Sequence, residues 1–396
     1  MSAAPPPRLT VAMVTESYVP RVSGVVHAVR SLTAALRAAG HRVLVVAPRY
    51  PGHTDTEPDV LRLPSFLPPG QPDFPLALPA RRRVARTLAA AGVAVVHAHS
   101  PFIVGRLALG VARRLRAPVV FTHHTLYHEY VHYVPWVHPA LSRRLVLRYT
   151  AAFARRCHHI IAPSRYVADL LRAQGVGTPV TVMPSSGVDV AAIGAIDRAA
   201  ARARLAPGWA PLLVTVSRLA PEKSVEQVLR AFRQVVDGQE AYLLIVGDGP
   251  SRGGLEALAA DLALGGRVRF TGALPHEEAL AAMAAADLFV FASQTETQGL
   301  VLVEAMAAGT PVVAVARGGA PEVVTHGVTG LVVEPDPAAL AAAVRAVLAD
   351  PERRAQMGAR AREAARAYAT PAVAARLAAL YEEVLRRAHV DAPHRA

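Results

Sequence analysis

Two successive sets of short, continuously apolar, β-branched runs, each run separated from the next by an amphipathic Ala/Leu/Arg stretch, limit what this chain can fold into. In the first set the runs are LTVAMVT (9–15), RVLVVAP (42–48), VAVVHAH (93–99), PVVFTHH (118–124) and HIIAPS (159–164), with helical stretches at 25–39, 80–91, 102–115, 139–156 and 165–174. Strands without polar alternation need cover on both faces, and a parallel sheet between two helical layers supplies it. The expectation is a doubly wound α/β domain. A strand near 180–183 and the loop PSSGVDV lead into a second set: LLVTVS (212–217), AYLLIVG (241–247), VRFTG (268–272), DLFVFAS (287–293), PVVAVA (311–316) and GLVVE (330–334). The stretch 191–207 reads as the helical start of that half, and 338–348, 351–367 and 371–388 as three terminal helices. The expected division is 1–190, 191–370, and a C-terminal helix in 371–396 that packs back on the first domain. Ligands of such folds sit at the carboxyl ends of the strands, and two such halves predict a cleft there.

Composition narrows the partners. The chain is 396 residues long, 52% hydrophobic, with a mean hydropathy of +0.27, which excludes wholesale disorder. Nowhere do 18 consecutive apolar residues occur, so no membrane-spanning helix is expected. The opening MSAAPPPRLTVAMV has too many prolines and too short an apolar run to read as a signal peptide. Cys157 is the single cysteine, which points to a reducing, cytoplasmic compartment. The net charge of +13 implies an anionic partner. It is unevenly placed: residues 1–190 hold 22 Arg, no Lys and 8 acids, a net +14, whereas residues 191–396 are at −1. Arg is used 42 times and Lys once, at Lys223.

The densest chemical signal is ASQTETQGLVLVEAMAAGTPVVAVA (292–316). A strand ends near Ser293, a polar loop follows, and a helix starts near Gly299. The amides at that start form an anion site, with Glu296 and Glu304 on either side to hold sugar hydroxyls. Two isolated glutamates are more often a solvated loop acid and a helix-surface acid. Glu304, however, lies in the apolar run VLVEAMAA, where an unpaired acid is costly. In VTVSRLAPEKSVEQ, Arg218 and Lys223 follow a strand end, a fork and a compact ammonium suited to a diphosphate; two surface loop cations are the bland alternative. Gly247 in VGDGP is a strand-end turn glycine of a mostly structural kind. Gly24 in PRVSGVVHAV opens the first helix, where its backbone can approach a phosphate or merely make a turn. The GxGxxG dinucleotide fingerprint is absent.

In order, SGVVHAV, FTHHT, SRLAPEK, VGDGP and TETQGLVLVEAMAAGTPVV resemble glycosyltransferase family 4, over about residues 9–350. The resemblance implies a retaining, nucleotide-sugar-dependent hexosyltransferase with the GT-B fold, two facing Rossmann-like domains, the first binding acceptor and the second donor. It implies that Arg218 and Lys223 bind the donor diphosphate, Glu304 its ribose and Glu296 the transferred sugar. Gly299 and Leu300 would supply amides near the donor, Gly247 would join them, Gly24 would approach from the first domain, and His124 would be the active-site histidine beside the transferred sugar. The chain departs from the family's frequent pattern at three places: Ser23-Gly24 for two glycines, Ser224 for glycine, and PSSGVDV for PNGVD. No Asp-x-Asp occurs, which fits the family's use of cations and a helix N-terminus, with no metal and no further cofactor, to offset the diphosphate charge.

The segment FTHHTLYHEYVHYVPWVHP (121–139) contains His128-Glu129-Tyr130-Val131-His132, a literal HExxH. On a helix that spacing would serve zinc. Pro135 follows closely and no third ligand helix does, which weighs against zinc. The same segment resembles diacylglycerol glycosyltransferases at His124, Tyr127, Tyr130, His132 and Tyr133, and again at Glu296-Thr297-Gln298-Gly299. This implies a lipid acceptor, with Trp136 and the tyrosines entering the interface and Arg143, Arg144 and Arg148 meeting lipid phosphates. Core packing and a solvated helix face are the bland alternatives. The expected activity is transfer of glucose from UDP-glucose to diacylglycerol or a simple glycolipid, by a cytoplasmic protein peripheral on the inner face of the membrane. GDP-mannose or UDP-galactose as donor, or a soluble sugar as acceptor, would use the same site. A nucleic-acid-binding protein would explain the charge, but no such module is present.

Overall fold

The computed structural model describes residues 8–68, 74–130, 138–208 and 210–390. The chain forms two compact units. The first takes the chain up to Gly187 and again from Thr370, and the second is Val188–Ala369.

The first unit is built on β1 (Thr10–Val14), β2 (Arg42–Pro48), β3 (Val60–Leu63), β6 (Val95–Ala98), β7 (Val119–Thr122), β8 (His159–Ala162) and β9 (Val180–Val182), in the order β3-β2-β1-β6-β7-β8-β9, every neighbour parallel. A small antiparallel pair, β4 (Ser65–Phe66) and β5 (Leu76–Ala77), stands apart. The helices α1 (Gly24–Ala38), α2 (Arg81–Ala90), α3 (Ile103–Leu115), α4 (Pro139–Ala154) and α5 (Arg165–Ala173) fill the crossovers. The two-residue period of a strand divides β1 between two cores. Val11 and Met13 face α1 through Val29, Leu32 and Leu36. Ala12 and Val14 join the opposite core, with Leu88 of α2, Leu107 of α3 and Val167 of α5. Each such fully buried aliphatic side chain contributes ~1.5–3 kcal/mol.

The second unit has β10 (Leu212–Val216), β11 (Tyr242–Val246), β12 (Val268–Gly272), β13 (Leu288–Phe291), β14 (Val312–Val315) and β15 (Gly330–Val333), all parallel, in the order β12-β11-β10-β13-β14-β15. Its helices are α6 (Val190–Gly194), α7 (Arg198–Leu205), α8 (Val225–Val236), α9 (Arg252–Asp261), α10 (His276–Ala285), α11 (Leu300–Ala307), α12 (Ala320–Val323), α13 (Pro337–Leu348) and α14 (Pro351–Ala365). Here too alternate strand residues serve two cores, one with α10 and α11, the other with α8 and α13. The stretch 191–207 that begins the second unit holds two helices, and Asp197 caps the second, α7, through the amides of Ala199 and Ala200.

Each sheet reverses its winding once, between β1 and β6 and between β10 and β13. At these two places loops diverge from neighbouring carboxyl ends and open a crevice. The last helix, α15 (Thr370–Val390), belongs to the first unit: Val373, Leu377, Tyr381 and Val384 share the core of α1. A Cβ on Gly187 would lie 2.4 Å from Thr370 Cα, so the chain leaves and re-enters this unit at adjoining points.

Leu377→Ala should therefore cost about 2–5 kcal/mol, read as a lowered urea midpoint, because it opens a cavity in a closed core. Gly254→Ala, inside α9 with nothing within 4 Å of the added methyl, should raise stability by about 0.5–1 kcal/mol. A neutral Leu377→Ala would mean that α15 does not hold the first unit together.

Candidate active site

In the second unit two loops flank the reversal point. The loop after β10 carries exposed Arg218, a 3-10 turn at Pro221–Lys223, and Ser224, whose left-handed backbone (φ 50°, ψ 39°) starts α8. That conformation accounts for the family's frequent glycine at this position. The loop after β13 carries Glu296. Lys223 Nζ lies 2.5 Å from Glu296 Oε1, and Ser293 Oγ donates to the same oxygen at 2.8 Å. Both charged side chains are largely buried, 18% and 15% exposed. Burial pushes the Glu296 carboxyl up, but the Lys223 charge and the two hydrogen bonds outweigh it and hold the group below its ordinary value. Glu296 is thus a carboxylate, and the pair ties the two loops together.

Glycines let the loops approach. Gly247 (φ +134°) follows β11, and a Cβ there would fall 1.8 Å from Ser217 O, at the base of the Arg218 loop. Gly318 and Gly319 do the same for the Glu296 loop: added Cβ atoms would lie 2.3 Å from Glu296 O and 2.5 Å from Thr297 O, and Gly319 N donates to Glu296 O at 2.8 Å. Sequence reasoning passed over this second pair, although the doublet ARGG after a strand was visible.

Gly299, in left-handed backbone, starts α11, and no side chain caps that helix. The amides of its first turn, from Leu300 onward, are therefore oriented for an anion. Glu304 stands one turn further in, 8% exposed, and burial pushes its carboxyl up to about 7. His276 Nε2 lies 3.8 Å away, itself lowered by burial against a smaller opposing effect of Glu277. The two glutamates, with seven residues between them, thus have opposite environments, one compensated and one not.

In the first unit Gly24 is the first residue of α1. Ser23 Oγ accepts from Val26 N at 3.3 Å, and the space beside Gly24 is open. The serine that departs from the family's double glycine occupies the third amide of the helix and leaves those of Gly24 and Val25 uncapped by it. His124, at the end of β7, is buried. Its Nε2 meets His99 Nδ1 at 2.8 Å, and burial pushes it down to about 3, with a smaller push from His123. Glu16, unremarked in the sequence, follows β1. Its Oε2 accepts from Ser100 Oγ at 2.6 Å and its Oε1 from Val104 N at 3.0 Å, capping the start of α3; burial raises its carboxyl against these bonds.

The residues assigned to lipid separate. Tyr127 turns inward, packed edge-on with Phe102 at 4.9 Å between ring centroids, and burial pushes its phenol well up. Tyr130 is half-buried. Arg143 pairs with Glu129, which also meets His128 Nε2 at 3.1 Å. Arg144 and Arg148 are exposed on α4. His132, Tyr133 and Trp136 lie outside the described residues. His128 and Glu129 sit on a 3-10 turn, Tyr127–Glu129, and not on the helix that an HExxH zinc site uses.

Two outcomes follow. Lys223→Ala leaves a buried carboxylate without its cation, so turnover should fall by about a hundredfold or more and the Glu296 carboxyl should rise above its ordinary value, readable by carboxyl NMR. For Glu304 the native state holds a proton between the unfolded pKa of 4.5 and about 7 that the unfolded chain releases. Its effect on stability is nil below that range and reaches a loss of ~3 kcal/mol above it. Glu304→Gln should accordingly melt higher than the native protein at pH 8 and equally at pH 4.5; an equal gap at both values would contradict the buried acid.

The sequence matches two family models, Glycosyltransferase Family 4 over residues 22–191 and Glycosyl transferases group 1 over residues 197–364. It is 32% identical to an alpha-monoglucosyldiacylglycerol synthase of Streptococcus pneumoniae, over 77% of this chain and 71% of that one. It is 34% identical to a GDP-mannose-dependent alpha-mannosyltransferase of Mycobacterium tuberculosis, over 81% and 82%. The fold is shared with Anabaena HepE, solved in complex with UDP, at a TM-score of 0.77 and 22% identity, covering 95% of this chain and all of that one. With two Rossmann-like units and a match along most of its length, the chain belongs to glycosyltransferase family 4 and is a hexosyltransferase of the GT-B fold.

Proposed function

We propose that the enzyme transfers glucose from UDP-glucose to diacylglycerol or a simple glycolipid at an anionic membrane surface, with retention at the anomeric carbon. The observation that carries the donor half is the Lys223–Glu296 pair beside the uncapped start of α11. Cleavage of the bond from the anomeric carbon to the diphosphate oxygen leaves negative charge on the nucleotide. Arg218, Lys223 and the α11 amides offset that charge without a metal ion. The acceptor oxygen bonds to the same face of the sugar, and its proton passes to the departing phosphate oxygen. Glu296 holds sugar hydroxyls, Glu304 the ribose, and Gly299, Leu300, Gly247 and Gly24 allow close backbone approach. His124 stands beside the transferred sugar.

The acceptor half rests on α4 and its surroundings. Leu141, Leu145 and Tyr149 are spaced four apart and are 52%, 54% and 37% exposed, an apolar stripe along one helix. Arg144 and Arg148 fall on the same helical face by spacing. Residues 74–168 contain 14 Arg and one acid, Glu129. Apolar side chains flanked by unopposed arginines suit insertion at the level of anionic headgroups. Among the described residues no helix is long and apolar enough to cross a membrane. The pneumococcal relative's name supports the lipid acceptor, and the mycobacterial one supports a second reading, GDP-mannose as donor at the same site.

A matrix of UDP-glucose, UDP-galactose and GDP-mannose against diacylglycerol vesicles and soluble sugars, with products weighed by mass spectrometry, tests the reading. Glucosyl-diacylglycerol from UDP-glucose is expected; a product formed only on a soluble sugar would overturn the acceptor. Binding to vesicles containing phosphatidylglycerol should weaken as salt rises from 50 to 500 mM and should weaken further in Arg144→Glu/Arg148→Glu. Equal binding to neutral and anionic vesicles would defeat the basic surface.

A further inference from the structure

Five arginines of the first unit converge around α3. Arg106 and Arg113 stand two turns apart on that helix, with Leu109 and Gly110 between them. Arg81, the first residue of α2, and Arg156, just past the end of α4, join them. These six residues line a cavity of about 120 Å³, room for about four waters. A second cavity, of about 740 Å³, shares Leu109, Arg113 and Arg156 with the first and adds Arg116 and His158 beside an apolar wall that includes Ala112 and Val119. No carboxylate lines either cavity, and among the described residues no carboxylate pairs with any of the five guanidinium groups.

Helix dipoles account for only part of this placement. Arg113 and Arg116 lie at the end of α3 and Arg156 past the end of α4, where cations are favoured. Arg81 and Arg106 lie in the first turns of α2 and α3, where cations are disfavoured, and no acid stands in either turn to offset them. Arg116 also ends α3 in left-handed backbone, φ 53° and ψ 33°, where a glycine would be unstrained. His158 adds a donor of another kind. Its Nδ1 accepts from Val119 N at 3.0 Å, and burial favours the neutral ring, so the ring's hydrogen is on Nε2. Every polar side chain lining the two cavities thus offers donors, and the guanidinium groups repel one another until an anion stands between them.

We propose that these two cavities form a binding site for a small soluble anion bearing two or more phosphate groups, built from none of the residues assigned above to donor or acceptor. One phosphate meets Arg81, Arg106, Arg113 and Arg156 in the smaller cavity, and the next reaches Arg116 and His158. Arg113 and Arg156, common to both cavities, hold the bridge between the phosphates. Planar forks match phosphate oxygens two at a time, which a lysine ammonium does not. The apolar wall of the larger cavity suits the organic body of such a ligand.

Calorimetric titration of the full chain with pyrophosphate, free of divalent metal and at about 150 mM salt, tests the site. About one equivalent should bind there, and that binding should survive Arg218→Ala, which removes a cation of the proposed donor site. Arg113→Gln/Arg156→Gln should weaken it about tenfold or more, whereas Arg144→Gln/Arg148→Gln, the same change of charge on α4, should shift it by less than about threefold. Arg116→Gly separates binding from folding: without ligand it should melt higher than the native chain, and yet it should bind pyrophosphate more weakly. Native affinity in Arg113→Gln/Arg156→Gln, equal weakening in the α4 variant, or a loss of both binding and melting temperature in Arg116→Gly overturns the proposal. So does a response confined to vesicles containing phosphatidylglycerol, with none to pyrophosphate, because the arginines would then meet lipid headgroups and not a soluble ligand.

Discussion

A parallel sheet buried on both faces has no free surface to give to a ligand, and this constraint arranges everything else in the molecule. Backbone amides and carbonyls of the strands are used up in the ladders, and both side-chain faces are committed to cores. Chemistry is left with the loops at the carboxyl edges, above all where the winding reverses. Every residue with a proposed part in transfer follows a strand or opens a helix at such an edge: Gly24 after β1, His124 after β7, Arg218 and Lys223 after β10, Glu296 and the start of α11 after β13. Because those loops crowd one another, the edge also dictates where side chains must be missing. Gly247, Gly318 and Gly319 each face a carbonyl oxygen at a distance no Cβ could occupy.

Charge at the edge of the second sheet is handled in two ways. Glu296 is paid for by a cation and a hydroxyl and stays ionised; Glu304 has burial acting on it and little to oppose it. The difference matters for binding. A lysine withdrawn from bulk water and fixed in direction would lose less side-chain freedom on meeting the diphosphate of the proposed donor. The proposed ribose would offer hydroxyl donors to the Glu304 carboxyl, and hydrogen bonding to its ionised form would favour that form. His97, His99, His123 and His124 of the first unit follow a third course: burial lowers them and favours the neutral rings.

The strands were legible because complete burial leaves an unmistakable apolar run, and both sheets form from the runs read in the sequence. β3, β4 and β5 were not, since short edge strands in a proline-rich stretch carry little periodicity. The Glu296, Glu304, Arg218 and Lys223 positions were legible as chemistry on strand ends, whereas the Lys223–Glu296 bond joins loops 73 positions apart and no spacing rule reaches it. Glu16 was passed over because a single acid after a strand looks like solvent-facing polarity until the start of α3 is placed above it. His97 and His99 lay inside a strand run and read as part of its core. The HExxH match, against which Pro135 already weighed, lies partly on a 3-10 turn, Tyr127–Glu129, and Arg143 pairs with the glutamate. Ser224 shows the reverse case, a departure from family pattern that becomes intelligible only once its backbone is seen to be left-handed.

The chain's use of cations follows the same division. Arginine is placed 42 times, and residues 74–168 hold 14 of these against one acid. Lysine is placed once, against a single carboxylate oxygen that also receives a serine hydroxyl. A guanidinium spreads its donors over a plane and is matched by both oxygens of a carboxylate, whereas here one oxygen is shared and the approach is confined between two loops. A compact ammonium can reach that oxygen in the space between the loops. The net charge of the chain is thus carried by residues 1–190, while its one lysine is largely buried and set by the packing of two loops in the second unit.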